Sequence, residues 1–90
     1  METKELNFVQ DGAVWKTEFV SEGPCIVQMD RETNATIRVW ANIEGMNKVP
    51  VKDFRNLLDV NMIFELKIPA GLQVLIESWS EVTQAKAFTE

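Results

Sequence analysis

The sequence contains no histidine, which removes the usual general base near neutral pH, the commonest zinc ligand and the Ser-His and Cys-His dyads together. Cysteine occurs once, at Cys25, so no internal disulfide can form. A lone cysteine fits a reducing compartment or a small buried hydrophobe. Glycine and proline are scarce, at 4 and 3 residues, which places the chain away from collagen-like, disordered and low-complexity sequences. Basic side chains are outnumbered 9 to 14, giving a net charge of -5. That is the wrong sign for neutralising phosphates or anionic lipid, so neither nucleic acid nor a membrane is an expected partner. No apolar run approaches the ~20 residues of a membrane helix. The opening Met1-Glu2-Thr3-Lys4-Glu5 is too acidic for a signal-peptide n-region. Cytoplasmic synthesis of a soluble protein is the expectation. At 90 residues the chain suits one domain over 1–90 with one thin core, too small for a deep enclosed pocket, which disfavours most enzymes.

What is present is period-2 patterning. Asp11-Gly12 lies between two apolar-rich runs, Leu6 to Val9 and Ala13 to Val20, and Asp-Gly readily takes the dihedrals of a tight hairpin turn. In the second run Trp15, Thr17 and Phe19 share a face, making Trp15 and Phe19 core candidates. Glu22-Gly23-Pro24 breaks the chain, and Cys25, Val27 and Met29 then share a face. Arg31 to Asn34 reads as a polar turn, and after it Ile37, Val39 and Ala41 alternate with Arg38, Trp40 and Asn42. The segment Val60 to Ile68 alternates without a break. Pro69-Ala70-Gly71 reads as a turn joining it in a hairpin to Leu72 to Trp79, and Val82 to Phe88 as a closing edge strand. Val49 to Val51 looks extended, and the stretch near 53–58, with Asp53 ahead of Phe54, Leu57 and Leu58, fits one short helical turn or a bulged strand. Seven or eight short strands with turn signals every 8 to 12 residues predict an all-β antiparallel sandwich, jelly-roll or immunoglobulin-like in topology.

Several residues invite a chemical reading. Trp40 falls on the polar side of its strand beside Arg38 and Asn42, and Trp79 shares its phase with Glu77. An outward Trp among hydrogen-bonding side chains serves as a sugar-stacking platform or a protein hot spot, while burial under a loop or neighbouring subunit is the plain alternative. Few Asn, Asp and Gln adjoin either Trp in sequence, which favours protein over glycan. Asp30, Glu32 and Asn34 alternate as calcium ligands would, but an EF-hand loop would need Gly where Ala35 stands and Glu where Ala41 stands, so no metal or other cofactor is expected. Glu77 and Glu81 resemble an acid/base pair only because ten Glu and four Asp crowd a small chain. Cys25 lacks a histidine and lies on an apolar face, where a thiol stays protonated. Ser21, Ser78 and Ser80 lie in no nucleophile-elbow motif. Ile63, Leu75, Trp40 and Trp79 are large apolar groups on faces that alternation turns to water, so they, with Arg38, are the expected interface or ligand platform.

The run KELNFVQDGAVWKTEFVSEGPCIVQMDRE, Lys4 to Glu32, the strand IRVWANIEG from Ile37 to Gly45, and the closing VLIESWSEVTQAKAF, Val74 to Phe88, resemble small sandwich proteins of phage and prophage structural gene clusters in gut anaerobes. That resemblance implies a virion head- or tail-fibre accessory component, assembled as a symmetric homo-oligomer such as a trimer. It carries over no catalytic residues. Other virion proteins or a glycan would be its further partners.

Overall fold

The computed structural model describes residues 2–55 and 59–89. Its nine strands are β1 (Glu2–Glu5), β2 (Val9–Asp11), β3 (Val14–Val20), β4 (Cys25–Arg31), β5 (Ile37–Asn42), β6 (Val49–Phe54), β7 (Met62–Leu66), β8 (Gln73–Ser78) and β9 (Val82–Thr89). They form two antiparallel sheets, a four-stranded one ordered β1-β9-β4-β7 and a five-stranded one ordered β2-β3-β8-β5-β6. With the short β2 set aside as an added edge, this is the order of a jelly roll, in which successive long strands alternate between the two sheets except at the β5–β6 hairpin. The all-β sandwich predicted from the sequence is present, and the strand order resolves its topology in favour of the jelly roll.

Alternation places the core where the sequence put it. Val27, Met29, Ile37, Val39 and Ile76 are completely buried, with Phe64, Leu66, Val74, Ala85 and Ala87 around them. Trp15 and Phe19 are only half-buried, Phe19 packing against the core from its edge, and Thr17 between them is buried. The first hairpin pairs Asp11 with Val14, so its two loop residues are Gly12 and Ala13. Gly12 has φ of +64°, the positive value that the first loop position of the two-residue hairpin turns requires.

Four local expectations are corrected. β9 is not a closing edge strand, since it lies between β1 and β4 in the four-stranded sheet. β7 and β8 are not a hairpin: they belong to opposite sheets, and the connection between them crosses the sandwich. Ser21 holds that crossing, its N–H donating to Leu72 O at 2.8 Å and its hydroxyl to Ile68 O at 3.0 Å, while Gly71 N–H donates to Ser21 O at 2.8 Å. The first strand is not Leu6 to Val9. Instead Glu2–Glu5 pairs with β9, and Leu6 turns inward to a buried position between two short strands. Arg31 is no turn residue but the buried end of β4. Of the two alternatives for the stretch after Val51, the strand holds: Asp53 and Phe54 close β6, and Phe54 packs on Phe64 with ring centroids 4.9 Å apart. β6 is the bulged alternative: Val39 faces Lys52 but Trp40 faces Pro50, leaving Val51 as the extra residue. Leu57 and Leu58 lie outside the described residues.

Candidate binding surfaces

The outer face of the larger sheet is built by register. Across β3, β8 and β5 one row reads Val20, Gln73, Asn42; the next reads Glu18, Leu75, Trp40; the third reads Lys16, Glu77, Arg38, which continues to Asp53 on β6. Arg38 lies between the two outward indoles, its Cζ 5.5 Å from the Trp40 ring and 6.0 Å from the Trp79 ring. It also donates to Asp53 Oδ2 at 3.3 Å, an oxygen it shares with Arg55. Trp40 Nε1 donates to Glu77 Oε1 at 2.5 Å, and Lys48 Nζ sits 5.0 Å from the same ring. Arg38, Trp40 and Trp79 are thus one cluster, as an outward platform requires. Trp40 is nevertheless half-buried with its polar edge satisfied, while Trp79 is 41% exposed.

Leu75 departs from expectation. It points outward by phase yet is only 8% exposed, because it lies between Glu18 and Trp40 with Lys48 reaching over the same area. It is a floor residue, not a contact residue. Ile63 keeps the expected exposure, at 65%, but belongs to the smaller sheet and to a different surface. There Ile26, between Glu65 and the half-buried Phe88, and Ile63, diagonal to it beside Gln28, make a second, smaller patch of apolar side chains set among polar neighbours.

A third surface escaped the sequence reading. Ile43, Met46, Val49 and Val51, on the β5–β6 hairpin, are 60, 67, 55 and 48% exposed. The turn is held by the Met46 N–H donating to Ile43 O at 2.9 Å. The signal was available: two apolar residues in an otherwise polar turn, followed by Val-Pro-Val. The strand edge itself is guarded against pairing by Pro50, by the bulge and by Lys52, whose ammonium donates to Glu65 O at 3.0 Å. What the hairpin offers is side chains, not ladder hydrogen bonds.

The remaining candidates have structural work. Ser78 Oγ donates to Ser80 O at 2.8 Å and Ser80 Oγ to Thr33 O at 2.7 Å, pinning the β8–β9 bend to the loop after β4. Asp30 lies within β4 with its carbonyl accepting from Thr83 Oγ1 at 3.2 Å. Glu77 is engaged by Trp40, apart from Glu81 in the bend. The Lys16 ammonium, 2.9 Å from Asp11, is held above its ordinary pKa by that hydrogen bond and charge.

Cys25 is half-buried against the core, and burial pushes its thiol up from the ordinary value. Its thiolate population at neutral pH is therefore lower than that of a free cysteine. Alkylation by iodoacetamide at pH 7.5, followed by mass spectrometry, is expected to run at least about tenfold slower in buffer than in denaturing urea. Equal rates would show that the thiol is neither shielded nor shifted.

Among the described residues no helix is long and apolar enough to cross a membrane. No family model, no curated protein and no solved structure matches this chain.

Proposed function

We propose that the chain is a non-enzymatic assembly module, a jelly roll that associates with identical copies into a closed homo-oligomer, as a virion accessory component does. The observation that carries this reading is the β5–β6 hairpin, with Ile43, Met46, Val49 and Val51 each about half exposed or more. Large apolar side chains left this open on one hairpin are the composition of a contact site. A second, different patch, Ile26 and Ile63 on the smaller sheet, supplies a complement. Two unlike patches on different faces suit a heterologous contact, which repeats head to tail and closes into a ring such as a trimer. Jelly rolls serve viral capsids among other roles, an analogy of fold that adds to the reading without carrying it.

The test follows from the asymmetry of such a contact. Met46→Glu with Val49→Glu on one chain, and Ile63→Glu on another, each bury a charge at the contact and should reduce the ring to monomers. Mixed together, each variant retains the patch the other lacks, so the mixture is expected to give a dimer by light scattering. Variants that keep the parent mass overturn the proposal, and monomers that stay monomeric on mixing overturn the head-to-tail contact.

A further inference from the structure

We infer that the outer face of β3, β8 and β5 holds a binding site for a neutral pyranose sugar. This goes beyond the assembly reading and stands on different residues. A shallow cavity of about 320 Å³ opens there, lined by Glu18, Val20, Asn42, Lys48, Gln73 and Leu75. That is near the lower end of small-ligand sites. The register makes its floor a grid, Val20-Gln73-Asn42 above Glu18-Leu75-Trp40, about 10 by 7 Å from strand and residue spacings, enough for one six-membered ring.

The chemistry of the grid selects the ligand. Both N–H groups of the Asn42 amide are used, one on Gln73 Oε1 at 2.9 Å and one on Ile43 O at 3.1 Å. This leaves Asn42 Oδ1 as an acceptor and the Gln73 Nε2 protons as donors, side by side and without a partner among the described residues. An adjacent donor and acceptor complement vicinal hydroxyls, each of which both gives and takes a hydrogen bond. Glu18 contributes a carboxylate whose nearest cation, Lys16, is 3.9 Å away, and Lys48 an ammonium resting on the Trp40 ring rather than on an acid. Val20, 55% exposed, gives the apolar surface on which the C–H face of a sugar lies, beside a floor closed by Leu75. Glu18 and Lys48 are of opposite sign, so the site carries no net charge to favour an acid or a base, which suits a neutral polyol.

Few Asn, Asp and Gln adjoin either Trp along the sequence, but strand pairing brings Gln73 of β8 opposite Asn42, next to the row of Trp40.

The experiment is a 15N-resolved titration of the whole chain with D-glucose, D-galactose, D-mannose and N-acetyl-D-glucosamine, each to about 100 mM, since an open site of this size binds in the millimolar range. Saturable shifts of the Gln73 and Asn42 side-chain amides and the Trp40 indole N–H, with Trp15 unmoved, are expected for at least one sugar. Gln73→Ala should weaken that binding at least about tenfold, by loss of a hydrogen bond whose partner stays polar, while leaving the spectrum of the core unchanged. Asn42→Asp, which keeps the shape but turns the donor to Gln73 into an acceptor that draws the Gln73 amide protons away from the ligand, should do the same. No saturable shift with any of the four sugars overturns the inference. So does an equal response to glycine, which would make the site one for zwitterions, or binding that neither substitution weakens.

Discussion

Arg31→Ala is expected to lower the unfolding free energy by about 3 kcal/mol, from the loss of several charge-assisted hydrogen bonds to part-buried carbonyls. Arg31 is 4% exposed and has no carboxylate partner among the described residues; its guanidinium donates from Nε to Val60 O at 3.1 Å, from Nη1 to Ala35 O at 2.7 Å and from Nη2 to Asp59 O at 3.0 Å. Burial lowers its pKa from the ordinary value, the expected direction for a cation taken from water, and carbonyl dipoles replace that water. One side chain therefore ties the loop after β4 to the segment entering β7. Its removal both deprives these carbonyls of donors and frees two loops. A domain of this size is stable by only about 5–13 kcal/mol, so the loss should appear as a fall in Tm of about 15 °C and an earlier urea midpoint. Arg31→Lys should recover little, because an ammonium lacks the planar fork that reaches these separate carbonyls. An unchanged midpoint in Arg31→Ala would show that water satisfies those groups as well.

Ile76→Ala should cost about 4 kcal/mol, the upper part of the range for deleting a buried aliphatic side chain. Ile76 is fully buried at the centre of β8, with Thr17 and Val39 beside it on the neighbouring strands. Strands on both sides of it limit collapse into the cavity. Ile63→Ala is the control: the same side chain, 65% exposed, should change stability by less than about 0.5 kcal/mol in the isolated chain. Urea melts of the two variants at a concentration where the parent is monomeric make the comparison. A cost for Ile76→Ala below that of Ile63→Ala would contradict the placement of the core.

Much of this arrangement was legible in one dimension, and the reason is local. In β5 the buried Ile37, Val39 and Ala41 alternate with half-buried Arg38, Trp40 and Asn42, and the period is printed in consecutive residues. β7 reads the same way, with Phe64 and Leu66 buried and Ile63 and Glu65 exposed. What could not be read depends on residues distant in sequence. Pro69-Ala70-Gly71 looks like any hairpin turn; that it crosses the sandwich is decided by Ser21, to which it is bonded. β1 has no apolar alternation because it is an exposed edge held by its backbone pairing to β9. Leu75 shows the limit of phase as a guide: it faces outward, yet Trp40 from the next strand makes it a floor. The Asn42–Gln73 pair spans 31 residues and leaves no local trace. Arg31, beside a polar turn, gave no sign that three loop carbonyls would converge on it.

The central claim is that the exposed hairpin is a contact surface between copies of this chain. Its most direct test is the solution mass of the unmodified protein by light scattering on a sizing column, across a dilution series and in low and high salt. An apolar contact predicts a mass of three chains, or another closed number, that persists in high salt, since screening weakens charges but not apolar burial. A single-chain mass of 10.3 kDa at every concentration would contradict the account and leave Ile43, Met46, Val49 and Val51 facing water.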